Sequence, residues 1–139
     1  MTPEEMAQIH AAAFSTLRPW SATEFANLID QPGTIITGDD RAFALLRVTL
    51  DEAEVLTIAT TPAHRRKGLA RTALQLAEQS AQAKGAAAIF LEVAEDNIAA
   101  CALYAQAGYA QVGRRPDYYL PKDTAPVAAL VLRKPLGPS

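Results

Sequence analysis

The period of the apolar positions changes several times along this chain, and each change marks an element. From Gly68 onward Leu69, Ala73, Leu76, Ala77 and Ser80 recur at three- and four-residue steps, which predicts a helix with one buried face. Lys84-Gly85 closes it, with a cation in the last turn and glycine at the cap. Upstream, "TIITG" and "AFALLRVTL" flank "DD" and predict a hairpin, and "EVLTIAT" predicts another strand after the acidic turn "DEA". Thr61-Pro62 ends that strand, because proline donates nothing to a ladder and restricts the residue before it. "AAIFLEV" is a nearly unbroken apolar run, the pattern of a central strand covered on both faces. Asn97 is placed to cap a helix through "IAACALYAQA", which Gly108 closes. "YAQVGRR" and "VAALVLRK" predict two final strands around the loop "PDYYLPKDTAP". Near the N-terminus, Ser21 and Glu24 form a capping-box pattern, so a short helix runs to about Asp30 before "QPG" breaks it. The order is helix, helix, strands, helix, strand, helix, strands: an α/β protein whose mixed sheet carries helices on its faces.

Composition narrows the choice. At 139 residues the chain suits one domain, 1–139, with a frayed tail from about 136 to 139. Half the residues are hydrophobic and a fifth are charged, an ordinary globular balance. A net charge of −2 supplies no overall field toward nucleic acid or an anionic membrane, so any anion site must be local. Cys101 is the sole cysteine, the first residues carry acids instead of a basic leader, and no apolar run approaches the roughly 18 residues of a membrane span. A cytoplasmic protein is expected, a monomer or weak homodimer, without nucleic-acid or membrane partners. His10 and His64 are far apart in sequence with no further ligands, so no metal is expected.

"HRRKGLAR", His64 to Arg71, departs from this even-handedness. Four of the thirteen Lys and Arg residues lie here, at a helix N-terminus whose partial positive charge normally favours Asp or Glu. Strand, glycine-containing basic loop, then helix is a general arrangement for holding phosphate on free N–H groups. Gly68 and the small Ala70 let a ligand approach the main chain, and the guanidinium groups can pair with phosphate oxygens. A solvated basic patch remains the plain alternative.

Read as Q/R-x-x-G-x-G/A, "RRKGLA" resembles the coenzyme A loop of the GNAT superfamily of N-acetyltransferases. "LEVAEDNIAACALYAQAGYAQVGRRPDYY", Leu91 to Tyr119, resembles its RimI branch, the ribosomal-protein-alanine N-acetyltransferases: L-E-V, then N, A-L-Y, G-F/Y and R-x-x-Y-Y. The likeness extends more loosely to "AAAFSTLRPWSATEF". It implies the GNAT fold, a mixed and mostly antiparallel sheet flanked by helices, and acetyl transfer from acetyl-CoA to an amine. The implied acceptor is a protein N-terminus. A small amine (polyamine, aminoglycoside or amino acid) and a non-catalytic acyl-CoA-sensing module stay open beside it.

The resemblance also implies roles. Glu92 is the general base and Tyr104 the acid that protonates the departing thiolate. Arg65, Arg66, Lys67, Gly68, Leu69, Ala70 and Arg71 hold the pyrophosphate; Ile58, Ala59 and Thr60 pair through main chain with the pantetheine arm; Asn97 and Tyr104 contact the coenzyme; Tyr118 and Tyr119 line the acceptor site. Each has a plainer reading. Glu92 can be a rim carboxylate paired with an arginine, Asn97 a helix cap, and the tyrosines packed aromatics. Asn97 and Tyr104, seven residues apart, share one azimuth and can face one cleft.

Overall fold

Among the described residues four α-helices punctuate the chain. In the computed structural model, which describes residues 1–14, 19–120 and 125–137, α1 spans Pro3–Ala13 and α2 spans Ala22–Ile29. Both open on a complete capping box. The Thr2 hydroxyl accepts from the Glu5 N–H while the Glu5 carboxylate accepts from the Thr2 N–H, and Ser21 and Glu24 repeat the exchange. Helix α3 covers Leu69–Ala83 and α4 Ile98–Gln106, the latter capped by Asn97 as expected.

Six strands form one sheet: β1 Thr34–Gly38, β2 Ala42–Thr49, β3 Glu52–Thr60, β4 Ala88–Ala94, β5 Ala110–Tyr119 and β6 Val127–Pro135. Their order across the sheet is β1-β2-β3-β4-β6-β5. Every adjacent pair is antiparallel except β3–β4, which α3 connects as a crossover. The predicted "DD" hairpin is present, with Gly38 opposite Phe43.

Helices α1 and α2 cover one face, burying Met6, Ile9 and Phe25 on Phe43, Leu45 and Ala59. The other face is covered by α3 and α4, with Ala73, Leu74 and Ala77 packed among Ala44, Leu46, Ile89 and Leu91. The buried side of α3 is turned from the expected one: Leu76 is 44% exposed, and Leu74 and Glu78 lie inside. A buried glutamate is tolerable there because Tyr109 donates to it at 2.8 Å and Lys134 at 3.0 Å. The tail also departs from expectation at Leu136, whose N–H donates to Ala87 at 2.9 Å and whose side chain packs on the core; residues 138–139 lie outside the described residues.

Candidate active site

The one parallel pairing is short. β3 and β4 are in register only at Glu52–Ala88, Ala53–Ile89 and Glu54–Phe90. Beyond this β3 skips a position against β2, since Thr57 faces Leu45 and Val55 faces Leu46, which leaves Leu56 as a bulge. A bulge bends its strand and increases its twist, and here β3 leaves β4. The facing edges, Val55–Thr60 and Leu91–Ala94, therefore keep main-chain donors and acceptors unpaired across a gap. Two hollows occupy that opening, of about 560 and 620 Å³. Phe14, Ile58, Arg65, Asn97 and Tyr104 line both, so they form one continuous cleft.

At one end of the cleft stands the start of α3. Helices α1, α2 and α4 begin with a side-chain cap; α3 begins at Gly68 with none and carries no acid in its first turn. Its first helical bond runs from Thr72 N–H to the Gly68 carbonyl, which leaves the amides of Leu69, Ala70 and Arg71 without helical partners. Gly68 has φ +75°, a conformation that disfavours any residue with a Cβ, and nothing lies within 4 Å of where a Cβ would stand. Glycine serves the turn here, and the space above it is open. Arg65, Arg66 and Arg71 line this hollow. Arg65 donates to the Ala13 carbonyl at 3.2 Å and Arg71 to that of Gln106 at 3.4 Å, but among the described residues no carboxylate pairs with any of them. Dipole, free amides and unneutralised guanidinium groups converge on one place.

The other hollow gathers Glu92, Asn97, Tyr104 and Tyr119. Tyr104 is 8% exposed, yet among the described residues its hydroxyl has no partner, and no fully buried side-chain polar atom among them lacks one. The hydroxyl therefore opens on the cleft. Burial, then Tyr119 and Cys101, push its pKa up to about 12. Tyr119 is also pushed up to about 12, first by burial and then by the charge of Glu92. The Glu92 side chain is 23% exposed, and its Oε1 lies 3.2 Å from Nε of Arg115. Glu92 thus has an arginine partner and also lines the cleft.

Three expected residues stand aside. The Ala59 side chain packs under α1 and α2, consistent with a contact through main chain only. Lys67 is exposed beyond the hollow's wall. Tyr118 packs edge-on against Tyr119 at 5.3 Å and lies under the Arg115 guanidinium at 5.2 Å, but only Tyr119 of the pair lines the cleft. Sequence reasoning missed His10, Phe14 and Trp20. The main-chain N–H of Trp20 donates to His10 Nδ1 at 3.2 Å, and its indole stacks on that ring at 4.9 Å, closing the hollow from the α1–α2 side. These aromatics share no period; the only signal was "PWS" before the capping box, and residues 15–18 of that segment lie outside the described residues. Cys101 is partly buried with its thiol pushed up by burial, in keeping with a packing role. Among the described residues no group of His, Cys, Asp and Glu is placed to hold a metal, and no helix is long and apolar enough to cross a membrane.

Residues 4–109 match the model of the acetyltransferase (GNAT) family. A ribosomal protein bS18-alanine N-acetyltransferase of Salmonella typhimurium is 38% identical over 105 residues, 73% of this chain and 71% of that protein. The crystal structure of the ribosomal-protein-S18-alanine N-acetyltransferase from Escherichia coli superposes with a TM-score of 0.87 at 30% identity, covering 99% of this chain and 89% of that one. A structure of Arabidopsis thaliana NAA60 in complex with acetyl-CoA shares the fold, with a TM-score of 0.80 at 16% identity over 94% and 91% of the two chains. The splayed strands, the uncapped basic helix start and these likenesses agree: the chain belongs to the GNAT family of acetyltransferases.

Proposed function

We propose that this protein acetylates the α-amino group of a protein N-terminus, an alanine N-terminus foremost, using acetyl-CoA in a cytoplasmic compartment as a single-domain enzyme. The carrying observation is the continuous cleft, which joins the cationic start of α3 to a hollow holding Tyr104 and Glu92. The acceptor class follows the name of the 38% identical relative.

The pyrophosphate of the substrate sits on the amides of Leu69, Ala70 and Arg71, with Arg65, Arg66 and Arg71 neutralising it and Lys67 adding to the field from outside. The pantetheine amides bond the free edge of β3 at Ile58–Thr60, as an added strand does. Asn97, although engaged as a cap to Ala100 N–H at 3.2 Å, presents its remaining polar groups to the same arm. The acceptor nitrogen attacks the thioester carbonyl, the C–S bond breaks, and the amine's proton passes to Glu92. An α-amine has an ordinary pKa near 7.7–8.0, so a useful fraction is neutral at pH 7, whereas a lysine near 10.4 demands far more of its base. Tyr104 faces the sulfur. With a pKa of about 12 it is fully protonated at neutral pH. Complete transfer to a thiolate of pKa near 8.5 is uphill by roughly 5 kcal/mol. Its contribution is therefore a hydrogen bond to the charge gathering on sulfur, with solvent delivering the final proton.

Thermal shift with acetyl-CoA and free CoA tests the cleft: ligand at 100 times its Kd adds about 2.7 kcal/mol. Thiol release with alanine-starting peptides, set against polyamines, aminoglycosides and amino acids, tests the acceptor. Turnover on peptides is expected. Turnover on small amines alone overturns the acceptor class, and binding without turnover on any amine overturns the enzyme reading in favour of a sensing module.

A further inference from the structure

Glu92 is reached from two sides. It lines the main cleft and also a smaller hollow of about 260 Å³, among Arg47, Glu54, Phe90 and Arg115. Arg115 lines only the smaller one. The guanidinium therefore approaches the carboxylate from behind, relative to an acceptor in the cleft. It does so from a distant strand. Glu92 stands opposite Val131 of β6, and Arg115 stands opposite Ala129 of β6, so the two belong to strands on either side of β6. Two strand spacings are about 9.6 Å, a span that two long side chains can close only by crossing β6. The short side chain of Ala129, fully buried, leaves that path clear.

The same guanidinium has a second engagement. It lies 5.2 Å from the Tyr118 ring centroid, and Tyr118 packs edge-on against Tyr119 at 5.3 Å. Beyond Arg115 the β5 register breaks: Pro116, Asp117 and Tyr118 stand opposite Ala128 alone before Tyr119 meets Val127. Asp117 adopts φ +54° within that bulge. Arg115 is the last regular residue before it. Its neighbour Arg114 pairs instead with Glu95, at 2.8 Å.

We propose that Arg115 is a positioning residue for acetyl transfer: from behind the cleft it holds one oxygen of Glu92 and, through Tyr118, ties that carboxylate to the aromatic end of β5 beside the acceptor. This rests on the reading of Glu92 as proton acceptor. A partly exposed carboxylate on a strand has several rotamers open to it, and a base that must meet one nitrogen in one geometry gains rate from being held. One oxygen is occupied by the guanidinium, which leaves the other to face the amine. Arginine suits the task because a planar cation can donate at its edge and stack on its face at once; lysine cannot do both.

The test is steady-state kinetics on an alanine-starting peptide with acetyl-CoA, for wild type, Arg115→Gln, Arg115→Lys, Glu92→Gln and the Glu92→Gln/Arg115→Gln double variant. Arg115→Gln lowers kcat roughly tenfold while the KM for acetyl-CoA and the Tm stay unchanged, since the side chain is 57% exposed. Arg115→Lys recovers only part of the loss and serves as the probe should the glutamine variant fold poorly. The double variant is no slower than Glu92→Gln, because an effect exerted through Glu92 vanishes with it. Losses that multiply, or an Arg115→Gln rate within twofold of wild type, overturn the proposal while leaving the proton-acceptor reading intact. A Glu92→Gln rate within twofold of wild type overturns that reading, and this proposal with it.

Discussion

Replacing Tyr104 by Phe removes one oxygen atom, and the surroundings of that atom set what is lost. The ring is 8% exposed and packs at 5.8 Å on Tyr109, contacts that phenylalanine keeps. The hydroxyl has no partner among the described residues, so at pH 7 stability changes by no more than about 0.5 kcal/mol. At high pH the two proteins diverge. The phenol rises from 10.0 to about 12 on folding, chiefly by burial. A group whose folded pKa is raised contributes stability that is fully present below the unfolded value and lost as pH climbs through the folded one. The whole difference is about 2.7 kcal/mol, of which roughly half, about 1.4 kcal/mol, is gone by pH 11. Urea unfolding at pH 7 and pH 11 measures it: Tyr104→Phe is the more alkali-resistant protein by that margin. Turnover moves the other way. Loss of the hydrogen bond to sulfur lowers kcat by about 10²-fold with the acetyl-CoA KM nearly constant. An equal stability difference at both pH values refutes the raised phenol, and a kcat within twofold of wild type refutes its part in the transfer.

Two further substitutions probe the cleft and its support. Gly68→Ala places a Cβ at φ +75°, which costs about 1–2 kcal/mol of stability; titration calorimetry shows acetyl-CoA weakened at least tenfold, and an unchanged affinity refutes the loop's role. Lys134→Met leaves the Glu78 carboxylate, 11% exposed, with Tyr109 alone and destabilises by about 2–3 kcal/mol in urea. Adding Glu78→Gln restores more than half of that, and no recovery refutes the buried-charge account.

Local signals carried most of the fold. Ser21 and Glu24 cap α2 as their spacing implied, and the apolar "AAIFLEV" is the central β4. The face of α3 was misjudged because Leu76 extends the apolar period, whereas the true stripe includes Glu78, whose partners Lys134 and Tyr109 lie far away in sequence. "PDYY" reads as loop because of its proline, yet β5 runs to Tyr119: an edge strand with a bulge accommodates Pro116. In the site, Gly68, Asn97 and Tyr104 were legible because local geometry places them. The aromatic wall of His10, Phe14 and Trp20 and the reach of Arg115 to Glu92 were not, since both depend on which strands become neighbours.

The brevity of the β3–β4 pairing has a mechanical consequence. Two half-sheets, β1-β2-β3 and β4-β6-β5, are stitched at one end and stand apart at the other, like a zip left partly undone. In the complex proposed above, a substrate that lays its amides along β3 supplies missing teeth, and its occupancy is expected to stiffen the sheet at its seam. Cargo and framework are, for the length of a turnover, the same object.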